Sequence, residues 1–434
     1  MNVLVLTNVL PAPILTFNAR ENDVLIRTAA LHESQYPDVH YTFVFVLHTA
    51  FTAQFQSKYR EHKDFINLKS YTHAGRNIEI ITVPTFKWNE KLWPLYVRLA
   101  YWRNKRKIQK IVRDNKIDLI HAHNFFADIG MAYEINKDLK IPFLITIRKI
   151  GLLESLGKHI RRYAAQASAM ISLGIYELNL CASLNKNIQL ISHGIDDRFL
   201  TQEKQFSSSK TLKIVTVARL LHWKYIDQVL FALEQIDGDF TYDIYGDGPH
   251  EDTLKGIVAK SSIADKVTFH GFIDYSIMPQ TLAQYDLFVM PSYRELFGRV
   301  YIEAMACGLP VICAKTTGMD GYITIGEQGF VVDHTSVEEI RETICKFIDD
   351  PELKVVMGKK AQAFAKDFSW DTVVEKIDGL YRSVLNQPML NDNPQPSLND
   401  KLQPAINDKL QLGLNLKSST NPQTSLSEQS EKSI

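Results

Sequence analysis

Glu295 and Glu303 stand eight residues apart in YRELFGRVYIEAMACGLPVI (residues 293–312), the first in a glycine-containing turn and the second inside an amphipathic helical pattern. Two carboxylates so placed offer two chemistries. They can serve as the acid and base of a hydrolase, or they can accept paired hydroxyl hydrogens such as those of ribose or a hexose. Nothing in the spacing dictates the separation a hydrolytic pair needs. The N–H groups of Phe297, Gly298 and Arg299 fall at the helix start, where unsatisfied donors attract phosphate or hydroxyl oxygens. That favours the second chemistry. For Glu303 alone, a solvated charge on a helix surface is the competing explanation.

Cations stand upstream. Arg219 ends the strand pattern KIVTVA, and Lys224 follows five residues later, just before a helix with an apolar face at Val229, Leu230, Leu233 and Ile236. A guanidinium fork and a point-charge ammonium beside a helix start suit a diphosphate; an exposed pair of loop charges is the alternative. In TYDIYGDGPHEDTLKGIV, Gly246 and Gly248 lie between strand and helix, where missing side chains let a ligand approach the backbone. The full GxGxxG fingerprint and its downstream ribose acid are absent, which argues against a dinucleotide-dependent oxidoreductase. Asp237 and Asp239 of "DGD" are explained by turn chemistry rather than metal binding. His121 and His123, on one face of the strand pattern IDLIHAH, fit either strand-end packing or a ligand contact.

These groups need a scaffold, and the chain supplies one. Apolar runs such as NVLVLT, YTFVFVL, IEIITV, IDLIHAH, PFLITI, KIVTVA, TYDIYG, DLFVMP and PVICA alternate with helical patterns. Strands buried on both faces and separated by helices predict an α/β fold with doubly wound parallel sheets. The 434 residues exceed a single core. The polar, serine-rich TQEKQFSSSK (201–210) reads as a linker between two α/β halves. We delimit an N-terminal domain 1–195, a linker 196–210, a C-terminal domain 211–370 and a terminal helix 371–386. From 387 to 434 the chain holds three octapeptide repeats, PMLNDNPQ, PSLNDKLQ and PAINDKLQ, and a Ser/Thr/Gln-rich end. Such a composition predicts disorder.

Lys and Arg number 49, and so do Asp and Glu, so no overall field draws the chain to nucleic acid. The four cysteines show no CxxC spacing, which fits a reducing compartment and neither zinc nor a disulfide framework. MNVLVLTNVLPAPIL reads as a first buried strand rather than a leader, and no apolar run reaches the roughly 18 residues of a membrane span. A cytoplasmic protein follows, soluble or attached at the inner face of the plasma membrane.

ARLLHWK, YGDGP, VTFHGFI and PSYRELFGRVYIEAMACGLPVI, in this order, closely resemble the nucleotide-sugar half of glycosyltransferase family 4, and IDLIHAHN, LISHGID and FSWDTVVEKIDGLYRSVL resemble other segments of it. The resemblance covers residues 1 to about 386 and is strongest from 190 to 335. It implies a GT-B fold, two Rossmann-like domains facing each other across a cleft, with the acceptor on the N-terminal side, the nucleotide sugar on the C-terminal side, and the terminal helix 371–386 returning towards the N-terminal domain. It implies a retaining, metal-independent hexosyltransferase that needs no cofactor beyond its nucleotide-diphosphate sugar. The sugar would go to a glycan or lipid-linked acceptor in envelope or exopolysaccharide synthesis. A catalytically silent relative that binds a sugar nucleotide or scaffolds an assembly is the alternative. By residue, Arg219 and Lys224 would bind the diphosphate. Glu303 would hold the ribose, and Glu295 the donor sugar with the amides around Phe297, Gly298 and Arg299; His123, or His121, would reach that sugar from the other domain. Five departures stand out: no glycine in the loop after the first strand (NVLPAPILTFNAREN), Tyr225 for the glycine after the lysine, Leu296 for the glycine between Glu295 and Phe297, His193 for the asparagine of NG(V/I)D, and Arg148 where many relatives carry histidine.

Residues 95–116, LYVRLAYWRNKRKIQKIVRDNK, carry eight basic residues against one acidic, with Leu95, Leu99, Trp102 and aliphatics at 108, 111 and 112 at helical spacing. Such a helix either packs on the core with a solvated basic face or lies on anionic lipid.

Overall fold

The computed structural model describes residues 1–8, 24–50, 68–85, 92–123, 127–148 and 158–386. The glycine-free loop after the first strand falls largely outside them, and the repeat tail from 387 wholly so.

Two sheets organise these residues. The first holds β1 (Asn2–Thr7), β2 (His40–Ala50), β3 (Ser70–His73), β4 (Arg76–Thr85), β5 (Leu119–His123), β6 (Phe143–Ile147), β7 (Ala169–Ser172) and β8 (Ile188–Leu190) in the order β3-β4-β2-β1-β5-β6-β7-β8. Every pairing is parallel except β3 with β4. The second holds β9 (Leu212–Val217), β10 (Phe240–Tyr245), β11 (Val267–Gly271), β12 (Leu287–Val289), β13 (Val311–Ala314) and β14 (Gly329–Val332), all parallel, in the order β11-β10-β9-β12-β13-β14.

The apolar runs are strands because helices cover both faces. All residues of β5, β6 and β13 are buried, and so are five of the six in β1. Removing such side chains from water stabilises each by roughly 1.5–3 kcal/mol, which no solvated alternative matches. The order reverses at β1, between β2 and β5, and again at β9, between β10 and β12. At such switch points the flanking connections leave in opposite directions and open a crevice at the strands' C-terminal ends.

The two C-terminal edges face each other. Leu173 and Gly174, just past β7, meet the second half of the chain: the Tyr322 hydroxyl donates to the Leu173 carbonyl at 2.7 Å, and a Cβ on Gly174 would collide with the Leu296 carbonyl. A second seam forms where Ile195 bridges Ser369. Ser369 then caps the Trp370–Val384 helix by accepting from the Thr372 N–H at 3.2 Å. This helix buries Trp370, Val373, Val374, Ile377, Leu380 and Tyr381 with Val3, Val5, Phe43 and Phe45 in the core of the first sheet. The chain therefore ends its described course on the sheet where it began.

The basic helix, Trp93–Asp114, differs from its sequence reading. The apolar residues that looked like one stripe are two opposite ones. Val97, Ala100, Tyr101, Ile108 and Ile111 are buried against the first sheet, whereas Leu95, Leu99 and Trp102 are 50%, 55% and 62% exposed. Steps of 100° per residue place Arg106 and Arg113 on the same outer line as those three.

Candidate active site

Arg219 and Lys224 follow β9, and Glu295 follows β12, so they lie at the switch point of the second sheet. His123 ends β5 beside β1, at the switch point of the first. The topology thus puts each group at the C-terminal edge of its own sheet, and the seam contacts of Leu173 and Gly174 with Tyr322 and Leu296 turn those two edges towards each other.

Lys224 and Glu295 form an ion pair between Nζ and Oε1, and the Ser292 hydroxyl donates to the same carboxylate oxygen at 3.3 Å. The Glu295 backbone is clamped: its N–H donates to Thr317 Oγ1 at 2.9 Å, and its carbonyl accepts from the Thr317 hydroxyl at 2.7 Å and the Gly318 N–H at 2.8 Å. A loop glutamate held by both backbone groups has little freedom left, which suits a group that must meet a ligand in one geometry. Tyr225, standing where relatives have glycine, adopts φ 53° to let the chain turn into the Ile226–Glu234 helix. A side chain in that left-handed region costs about 1 kcal/mol, which glycine would avoid.

Glu303 is not a surface charge. It is 3% exposed on the buried face of the Arg299–Ala306 helix, accepts from the Tyr275 hydroxyl at 2.8 Å, and lies 3.8 Å from Arg299 Nε. Burial raises its pKa, partly offset by Arg299 and the Tyr275 hydrogen bond. Phe297 is buried against Tyr322 and Phe368, so its backbone rather than its ring is what it has to offer a ligand. Gly298 starts the helix at φ 72°, and a Cβ there would stand 2.6 Å from the Tyr301 ring.

The glycine pair at 246 and 248 has a different cause from the one read in the sequence. Their backbone lies against the exit of β9: the Ala218 N–H donates to Tyr245 at 3.0 Å and the Leu220 N–H to Asp247 at 2.7 Å. A Cβ on Gly246 or Gly248 would run into the carbonyl of Ala218 or Leu220. Close packing of two chain segments demands these glycines before any ligand does. Arg219 sits between those two stitched residues, exposed, and makes no ion pair among the described residues.

The two histidines separate clearly. His121 is engaged at both nitrogens, Nδ1 with the Tyr381 hydroxyl at 2.6 Å and Nε2 with Thr146 Oγ1 at 2.7 Å, and burial lowers its pKa to about 3. It packs the strand end. His123 stacks on it with ring centroids 3.8 Å apart, and its buried Nδ1 has no partner. Burial, His121, Arg148 and His193 all push its pKa well below the usual histidine range.

Sequence reasoning missed Tyr275, Thr317 and the seam residue Glu177, since single polar residues in loops carry no periodic signal. Among the described residues no group of three or more His, Cys, Asp and Glu is placed to hold a metal ion.

Comparison with known proteins agrees with this geometry. Residues 197–364 match the family described as glycosyl transferases group 1. The chain is 27% identical over 299 residues to the N-acetyl-alpha-D-glucosaminyl L-malate synthase of Bacillus anthracis, covering 64% of this chain and 78% of that one. Against the GDP-mannose-dependent monoacylated alpha-(1-6)-phosphatidylinositol monomannoside mannosyltransferase of Corynebacterium glutamicum, identity is 30% over 199 residues, 43% of this chain and 51% of that one. The Anabaena HepE structure, in complex with UDP, superimposes with TM-score 0.61 at 20% identity, covering 88% of this chain and all of that one. Residues 197–364 thus match the glycosyl transferases group 1 family, and the two-sheet architecture around them is the GT-B fold.

Proposed function

We propose that the protein is a retaining glycosyltransferase that moves a hexose from a nucleoside-diphosphate sugar to a glycan or lipid-linked acceptor in envelope or exopolysaccharide assembly. One observation carries this reading: Lys224 and Glu295 pair at the C-terminal edge of the second sheet, where Thr317 and Gly318 clamp the Glu295 backbone, and His123, whose Nδ1 has no partner, ends a strand at the C-terminal edge of the first. The UDP in HepE, and the GDP-mannose and the phosphatidylinositol monomannoside named for the Corynebacterium enzyme, support it.

The chemistry follows from charge. As the bond between C1 of the sugar and the phosphate oxygen breaks, its electron pair stays with the diphosphate. Arg219, Lys224 and the free N–H groups at Gly298 and Arg299 stabilise the growing charge without reorganising. These cations do the work a metal ion would do, so the reaction needs none. The diphosphate competes with Glu295 for Lys224, and the released carboxylate accepts sugar hydroxyls. Glu303, with one oxygen already taking the Tyr275 hydrogen bond, has its other oxygen for the ribose. The acceptor oxygen attacks C1 from the face the phosphate leaves, and its proton passes to that phosphate, so configuration is retained. His123 orients the sugar from the first domain. We place this activity at the cytoplasmic face of a membrane. Four unpaired cysteines suit that compartment, and the exposed Leu95, Leu99 and Trp102 suit that surface.

A panel of nucleotide sugars scored for slow donor hydrolysis tests the reading. One donor should be hydrolysed, and Lys224→Ala or Glu295→Ala should lower that rate roughly 100-fold with folding intact. Binding without hydrolysis of any donor would instead indicate a silent sugar-nucleotide binder, and undiminished rates in both variants would mean that the site lies elsewhere on the molecule.

A further inference from the structure

We infer that Arg148, His193 and His123 form a subsite for an anionic group, a phosphate or carboxylate, distinct from the diphosphate site. It rests on the reading of the cleft as the active site. Arg148 follows β6, one strand over from the end of β5 where His123 stands, and His193 lies in the segment that leaves β8 for the second domain. Arg148 is half-buried, its Nε is sealed from solvent, and that nitrogen has no hydrogen-bond partner. No carboxylate pairs with Arg148 among the described residues. His123 is 7% exposed, and its Nδ1 is likewise unpartnered.

The other cations of the cleft are either paired or, like Arg219, exposed to solvent. Lys224 has Glu295, Arg299 has Glu303 at 3.8 Å, and Arg198 and Arg27 share Asp196 at 3.0 and 2.9 Å. Arg148 has nothing of the kind, and the charges that act on its two histidine neighbours are positive: Arg148 on both, and Arg299 on His193. A guanidinium withdrawn from water without a counter-charge is unfavourable unless a ligand supplies one. Its planar fork matches the two oxygens of a phosphate or carboxylate, and a histidine N–H adds a third donor. Arg219 and Lys224, which meet the diphosphate, belong to the second sheet, whereas Arg148 and His123 belong to the first. The anion therefore arrives on the acceptor or on the sugar being transferred.

The full chain is titrated with inorganic phosphate while saturated with the nucleoside diphosphate it binds best. Phosphate should still bind. Arg148→Gln should weaken phosphate about tenfold or more while nucleoside diphosphate affinity stays within about twofold, and Arg148→Lys should recover part of the loss. His193→Asn, which keeps a hydrogen-bonding side chain, should weaken phosphate less than Arg148→Gln. Donor hydrolysis then names the source. If the wild type prefers acidic-sugar donors and Arg148→Gln abolishes the preference, the anion is on the sugar; no such preference places it on the acceptor. Absence of phosphate binding to the wild type overturns the inference. So does an Arg148→Gln variant that weakens the nucleoside diphosphate as much as phosphate, since Arg148 would then serve the diphosphate. Should no nucleoside diphosphate bind at all, the proposed activity fails, and the phosphate titration, run alone, still decides the subsite.

Discussion

Glu177 sits at the seam of the two domains, 3% exposed, at the start of the Ile175–Ala182 helix and close to Tyr322. Burial raises its pKa from 4.5 to about 7, with a hydrogen bond from its own N–H opposing the shift. The folded chain thus holds this proton more tightly than the unfolded chain does. Stability falls as pH rises from about 4.5 to about 7, and above that the cost is on the order of 2–3 kcal/mol. Glu177→Gln should therefore raise the melting temperature by a few degrees at pH 8 and leave it unchanged at pH 4.5. Equal melting temperatures at pH 8, measured by calorimetry, would contradict the seam's charge state. At this scale the sequence was legible where two acids or two cations share a turn or helix. The choice between His121 and His123 was not legible, because it depends on Tyr381, 260 residues away from His121.

Among the elements, the Trp93–Asp114 helix has the clearest unmet surface. Its inner face is fixed by Val97, Tyr101, Ile108 and Ile111, while Lys105 and Lys107 are tied to Asp138 at 2.8 Å and Glu79 at 2.7 Å. Arg98, Arg103 and Arg106 make no ion pair among the described residues and flank the outward Leu95, Leu99 and Trp102. We predict that an anionic bilayer covers both halves of that face, with each basic residue contributing about 1 kcal/mol. In co-sedimentation, vesicles containing phosphatidylglycerol should bind the protein and phosphatidylcholine vesicles should not. The triple change Leu95→Ser, Leu99→Ser, Trp102→Ser should weaken binding roughly tenfold or more. Equal binding to both vesicles, or an unaffected triple variant, would count against it. Periodicity alone merged two stripes because residues on opposite faces of a helix share the same apolar composition. At Gly246 and Gly248 the sequence shows that a side chain is missing, and only the neighbouring Ala218 and Leu220 carbonyls show what excludes it.

For the whole molecule, the doubly wound pattern was readable because parallel strands buried on both faces leave uninterrupted apolar runs. The return of the Trp370–Val384 helix to the first sheet was read from its resemblance, and its physical basis is the apolar stripe that completes that sheet's core. The facing of the two C-terminal edges is a product of contacts such as Tyr322 with Leu173, which no local pattern announces. The central claim is that one ligand bridges these edges. Hydrogen exchange of the full chain, with and without the tightest-binding nucleotide sugar, tests this most directly. Bound sugar nucleotide should slow exchange at 219–226 and 292–304 in the second domain and at 121–123 in the first. Protection confined to one domain, or found away from these segments, would contradict it.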